Sequence, residues 1–150
     1  MVLPVVAYGD PVLRRTADEI EEGHVDLAVL IENMWKTMYA SEGVGLAAPQ
    51  IGQSIRLFIV DGSPFSEGEN GDKGCAGFKR VMINPVLFDE TQEEQPMEEG
   101  CLSIPGIREE VTRPVGVSVE YYDELWVLRE EKLDGIAARI VQHENDHLDG

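Results

Sequence analysis

The sequence predicts an α+β fold, with mixed or antiparallel strands packed around a C-terminal helix and a second, amphipathic helix near the N-terminus. Two helix-period stretches towards the ends of the chain, and short strand-like runs between them, carry that expectation. Leu27, Leu30, Ile31, Met34 and Met38 recur at three- and four-residue spacing, so 25–40 reads as an amphipathic helix. Ser41-Glu42-Gly43 ends it, with glycine in the usual stopping position. Ile55 to Val60 is a β-branched and aromatic run with the character of a buried strand. Gly62 to Gly77, rich in Gly, Ser, Glu, Asp and Asn, reads as a surface loop. Val81–Ile83 and Val86–Phe88 look like strand pieces broken by Asn84-Pro85. Thr91 to Glu99 reads as an acidic connection and Val111-Thr112-Arg113 as a short piece. Gly116 to Tyr121 alternates as a half-exposed strand does, with Asp123-Glu124 in a turn and Trp126–Leu128 as its partner. A final helix is expected from near Asp134, an acceptable N-cap, to about Leu148, with Ile136, Ile140, His143 and His147 on one face.

At 150 residues, with no internal repeat or linker, the chain is expected to form one domain. Its 12 basic and 29 acidic residues give a formal charge of −17, which repels phosphate backbones and anionic lipids. Neither direct nucleic-acid binding nor membrane attachment is expected. The N-terminal Met1 to Ala7 stretch is apolar but short and has no basic flank, so a cytoplasmic protein without a signal peptide is expected. Two cysteines, Cys75 and Cys101, do not make a disulfide framework; in this setting they read as thiols, ligands or nucleophiles.

The sharpest local pattern is His143-Glu144-Asn145-Asp146-His147, a match to H-E-x-x-H. On a helix, residues four apart lie one turn above each other, so both imidazoles can bind one metal ion. Glu144 can then face the open coordination position and take a proton from a water there. Two histidines leave such a site one protein ligand short. Only three residues follow His147, so the third ligand is sought upstream. Cys101 is the strongest candidate, because a thiolate suits zinc or ferrous iron and the residue sits in Glu99-Gly100-Cys101-Leu102-Ser103-Ile104-Pro105-Gly106, a non-helical stretch. Cys75, within the polar loop, reads as incidental.

Gly43-Val44-Gly45-Leu46-Ala47-Ala48-Pro49-Gln50-Ile51-Gly52 is the third feature. Small residues let backbone approach a ligand closely, and an extended stretch can pair with a bound peptide. Gln50 brings an amide N–H able to stabilise an oxyanion. The lysine and serine of a phosphate-binding loop are missing.

In this order, the three segments resemble the signature motifs of peptide deformylases. The pattern G-x-G-x-A-A-x-Q matches Gly43, Gly45, Ala47, Ala48 and Gln50; E-G-C-L-S matches Glu99 to Ser103; Q-H-E-x-D-H matches Gln142, His143, Glu144, Asp146 and His147. Asp10-Pro11-Val12-Leu13-Arg14 is similar to the family's N-terminal region, so the resemblance spans most of the chain. It implies a metal-dependent amidase that removes the formyl group from formyl-methionyl peptides and releases formate. It implies that Cys101, His143 and His147 hold one divalent metal, Fe2+ in the native enzyme, with Zn2+, Ni2+ or Co2+ as replacements. Glu144 would be the general base and later the acid, and the Gln50 side chain and Leu102 backbone N–H would steady the oxyanion. Gly45 and Val44 would line the substrate strand and its methionine pocket, with the ribosome a further partner. Family members usually continue past the last motif, whereas this chain stops at Leu148-Asp149-Gly150. The expectation is one catalytic domain over 1–150 without the usual C-terminal tail.

Three rival readings are distinguishable. A zinc protease with the same helix motif needs a downstream third ligand, and none is visible. A cysteine nucleophile paired with histidine would leave Cys101 open to alkylation, whereas a metal-bound thiolate is protected. An inactive or fragmentary deformylase-like peptide-binding module would be marked by loss of the base or a ligand, and Glu144, Cys101, His143 and His147 are all present.

Overall fold

A computed structural model describes residues 3–6, 11–14, 16–21, 27–41, 43–66, 77–101 and 104–149, without the side chains of 14, 65, 66, 97–101 and 104–110. Helix α1 spans Leu27–Ala40, and seven strands follow: β1 Gly45–Ala47, β2 Leu57–Asp61, β3 Lys79–Phe88, β4 Glu94–Cys101, β5 Ile104–Pro114, β6 Gly116–Tyr122 and β7 Leu128–Asp134. Helix α2, Gly135–Asp149, closes the order. All strand pairs are antiparallel; five strands form one sheet in the order β1-β2-β3-β6-β7, and β4-β5 pair as a separate hairpin. The expected α+β class with a helix at each end is the one observed.

Side-chain parity along the strands builds three layers. Leu57 and Ile59 of β2, with Val81 and Ile83 of β3 and Leu46 of β1, pack with Ile31, Met34 and Met38 of α1. Their neighbours Phe58, Val60, Met82 and Ala47 face the other way, into Ala137, Ala138, Val141 and Leu148 of α2. The sheet therefore lies between the two helices, which is why Leu57 to Val60 is an unbroken apolar run: both faces of β2 are buried.

Several sequence expectations need correction. The pieces 81–83 and 86–88 are one strand, β3, which passes through Asn84-Pro85 with a register shift between Ile83 and Val86. Asn84 adopts φ 52°, a conformation its short polar side chain tolerates. That side chain accepts from Ile20 N–H at 2.8 Å and donates to Ile20 C=O at 2.7 Å, pinning the N-terminal segment. The acidic stretch 91–99 is mostly strand β4, and the short piece 111–113 is the end of an 11-residue strand. Trp126, with φ 60°, sits in the β6–β7 turn, so the partner strand begins only at Leu128. Asp134 ends β7, and the helix starts one residue later at Gly135, whose φ of 60° makes the sharp entry. The polar loop is described only in part: Ser63–Ser66 form a 3-10 turn, while Cys75 lies outside the described residues.

On the α2 face of the sheet, Arg80 grips Glu131 with two nitrogens, at 2.9 and 3.0 Å, and the buried Tyr121 hydroxyl donates to the same carboxylate. Burial alone would raise the Glu131 pKa; the hydrogen bonds from Arg80 and Tyr121, aided by the Arg80 charge, outweigh it and hold the carboxyl below its ordinary range. A pKa lower in the folded than in the unfolded chain contributes stability that is full above the unfolded value. That contribution is lost as pH falls through the folded value. Glu131→Gln is therefore expected to lower stability by about 1–2 kcal/mol at neutral pH. Urea unfolding of both forms from pH 7 down to pH 3 should show the gap closing; a gap constant with pH would contradict this account.

Candidate active site and metal centre

Helix α2 forms because Ala137, Ala138, Ile140, Val141 and Leu148 give it one apolar face to bury. Its last carbonyls are satisfied from outside the helix: Leu148 C=O accepts from Ala17 N–H at 2.7 Å and from Arg56 at 3.2 Å. On this anchored helix, His143, Glu144 and His147 bring one ligand atom each to within 4.8 Å of one another. The imidazoles meet edge-on with centroids 5.1 Å apart, and Glu144 Oε1 is 4.0 Å from His143 Nε2. The histidines are half-buried, whereas Glu144 is only 4% exposed. A buried carboxylate between two imidazoles is a donor set that suits a divalent cation.

Opposite Glu144 stands β1. Strand parity turns Gly45 and Ala47 to the α2 side, and the Gly45 Cα lies directly under the carboxylate. A Cβ on Gly45 would fall 2.7 Å from Glu144 Oε1 and 2.9 Å from Cδ and Cγ, so only glycine fits. β1 is also an edge strand, paired only with β2 among the described residues. Val44 C=O accepts from Asp61 N–H at 2.8 Å, so Val44 and Leu46 point their backbone groups at β2. The alternation then turns those of Gly45 and Ala47 to the open edge. Ala47 N–H is taken there by Gln50 Oε1 at 2.9 Å. That bond orients the fully buried Gln50 amide with its NH2 end as donor. Gln50 itself lies in a 3-10 turn, Ala48–Ile51, which Gly52 ends at φ 84°.

The polypeptide deformylase family model matches residues 2–150. The chain belongs to the polypeptide deformylase family. It is 49% identical to the peptide deformylase of Flavobacterium psychrophilum and 47% identical to that of Christiangramia forsetii, in each case over all of this chain and 79% of the relative. Its fold is that of solved deformylases. The Thermotoga maritima enzyme superposes with a TM-score of 0.86 at 39% identity, covering 99% of this chain and 92% of that one. A Synechococcus elongatus deformylase solved in complex with actinonin gives 0.83 at 36% identity, covering 98% and 74%. This deformylase is accordingly a metal-binding hydrolase that removes the N-formyl group from nascent polypeptides. Nothing among the relatives favours the alternative of an inactive binding module. No described helix is long and apolar enough to cross a membrane.

Of the residues singled out in the deformylase sequence, the fold brings His143, Glu144 and His147 together and sets Gly45 against them. Cys101 is the last residue of β4, paired with Ile104 after a register shift at Gly100. Its side chain, and all of Leu102, lie outside the described residues. Sequence reasoning missed Arg139, whose buried guanidinium donates to Val111 C=O at 2.9 Å and to Gln95 C=O. A buried charge one turn before His143, spaced i, i+3, i+7 with Gln142 and Asp146, was the available signal. The largest groove, about 730 Å³, runs past Thr16, Arg56, Leu87, Arg113, Asn145 and Asp149 and touches neither histidine. Chemistry rather than volume locates this site.

Proposed function

We propose that His143, His147 and Cys101 of this deformylase hold one divalent metal, Fe2+ in the native enzyme, and that Glu144 performs the proton transfers of deformylation. The observation that carries this reading is the His143–Glu144–His147 cluster, buried against the Gly45 edge of an open strand. Two imidazoles and a thiolate also accept Zn2+, Ni2+ or Co2+. A metal held there supplies Lewis acidity, acidifying a water and polarising the formyl oxygen.

The remaining steps belong to the chain. The outward N–H and C=O of Gly45 pair with the backbone of an extended peptide, adding it to the sheet. Val44 contributes to the apolar lining that takes the methionine side chain. Glu144 accepts a proton from the attacking water as the C–O bond forms, then delivers it to the amine nitrogen as the C–N bond breaks. The Gln50 NH2 group and the Leu102 backbone N–H donate to the formyl oxygen while the carbon is tetrahedral. Formate and a free amino terminus leave. Residues 1–150 act as one catalytic domain, in the cytoplasm, on formyl-methionyl chains emerging from the ribosome.

The test is formate release from a formyl-methionyl peptide by anaerobically purified protein, with metal counted in the same sample. About one ion per chain, and activity lost to a chelator and restored by Fe2+, is the expected result. A folded sample with neither metal nor formate release would overturn the site.

A further inference from the structure

We propose that Arg139 is a positioning residue that sets the β4–β5 hairpin, and with it Cys101, at the distance from helix α2 that a three-ligand site requires. This rests on the reading of Cys101 as a ligand. The hairpin is a separate two-stranded sheet with no ladder bonds to the main sheet among the described residues. Its seat on α2 is made by side chains instead. Arg139 reaches across both strands, donating to Val111 C=O of β5 at 2.9 Å and to Gln95 C=O of β4. Gln142, one turn on, donates to Pro114 C=O at 3.0 Å, and Asp146 meets Arg113 of β5 at 2.6 Å. Arg139, Gln142 and Asp146 follow i, i+3, i+7 spacing, so they form one stripe of the helix.

His143 and His147 lie one and two turns above Arg139, beside that stripe, so the face that seats the hairpin adjoins the face that presents the imidazoles. A guanidinium fits this task better than a hydrophobic contact. It is planar, holds two acceptors in fixed directions, and at 8% exposure exchanges little with water. An apolar seat would let the hairpin slide, whereas two charge-assisted bonds to backbone carbonyls on different strands fix both translation and tilt. The shared carbonyls belong to Gln95 and Val111, while Cys101 closes the far end of the same ladder. Displacement at the Arg139 end is thereby carried along the hairpin to the thiolate.

The measurement is Co2+ affinity of the apo-protein and the thiolate-to-cobalt charge-transfer absorption, beside urea unfolding of each apo form. The variants are Arg139→Ala, Arg139→Lys, Cys101→Ala and Arg56→Ala. Arg56 is the control because it also grips α2, through Leu148 C=O and Asp149, without touching the hairpin. Arg139→Ala should weaken Co2+ binding about 10- to 100-fold and diminish the thiolate band. Arg139→Lys, which keeps the charge and one donor direction, should recover part of both; if the alanine form does not fold, the lysine form must still show the loss. Arg56→Ala should lower stability and leave affinity unchanged. Wild-type affinity and an undiminished band in both Arg139 variants would reduce the residue to a structural one. A Cys101→Ala form that binds Co2+ as the wild type does would instead overturn the ligand reading itself.

Discussion

Glu144→Gln is expected to abolish nearly all formate release while leaving metal content and thermal stability close to those of the parent chain. Glutamine keeps the shape of the side chain, so the 4%-exposed pocket between His143 and Gly45 stays filled. What disappears is the capacity to accept a proton. A general base contributes about 10²–10⁴-fold, and here one group serves twice, on the water and on the leaving amine. A fall in kcat of about 10³-fold or more is the outcome to look for, in steady-state assays with metal counted before and after. Stability should not fall, because exchanging a buried carboxylate for an amide removes a charge that burial disfavours. A glutamine form retaining a tenth of the parent kcat would remove Glu144 from the role assigned to it.

Gly45→Ala should damage the same step from the opposite side. The backbone at Gly45 is ordinary strand, so alanine meets no conformational strain there; the objection is purely one of space. The added methyl would lie 2.7–2.9 Å from three atoms of the Glu144 side chain, which is not free to swing because the helix carrying it is packed against the sheet. The carboxylate must shift by roughly 1 Å, and a displacement of that size at a reacting group costs about 10²-fold in rate. The loss should fall mainly on kcat, since the Gly45 N–H and C=O still face the open edge and can still pair with the peptide. Folding should suffer by only about 1–2 kcal/mol, the usual cost of one extra methyl in a tight place. Unchanged kcat with raised KM would mean that the glycine serves substrate approach and not the placement of Glu144.

Both helices were legible because each has one apolar face, and Leu27 to Met38 and Ala137 to Leu148 show it as a three-four spacing. The histidines and Glu144 came with the second helix, since their proximity is a property of the helix itself. The β4–β5 hairpin was not legible: Glu94, Glu98, Glu99, Glu109 and Glu110 give it no alternation of apolar and polar positions. Its strands are held by cross-strand pairing and by Arg139, contacts between residues far apart in the chain. Asn84-Pro85 looked like a break because glycine-like backbone there is met by an asparagine side chain that bonds Ile20 twice. The contact of Gly45 with Glu144 joins residues 99 positions apart, and no local pattern announces it. What the motif pattern does encode is that small residues are needed at Gly43 and Gly45; the fold supplies the reason for the second.

β1 is only three residues long, and Pro49, which has no N–H to offer, follows in the adjoining 3-10 turn. Ala47 N–H is already claimed by Gln50, which leaves Gly45 as the one position of the edge with both backbone groups available to a visitor. So brief a handhold fastens a residue or two of an incoming chain and lets the remainder hang free. An enzyme with that reach inspects how a protein begins and takes no notice of what it goes on to say, which lets one short edge serve every message a cell translates.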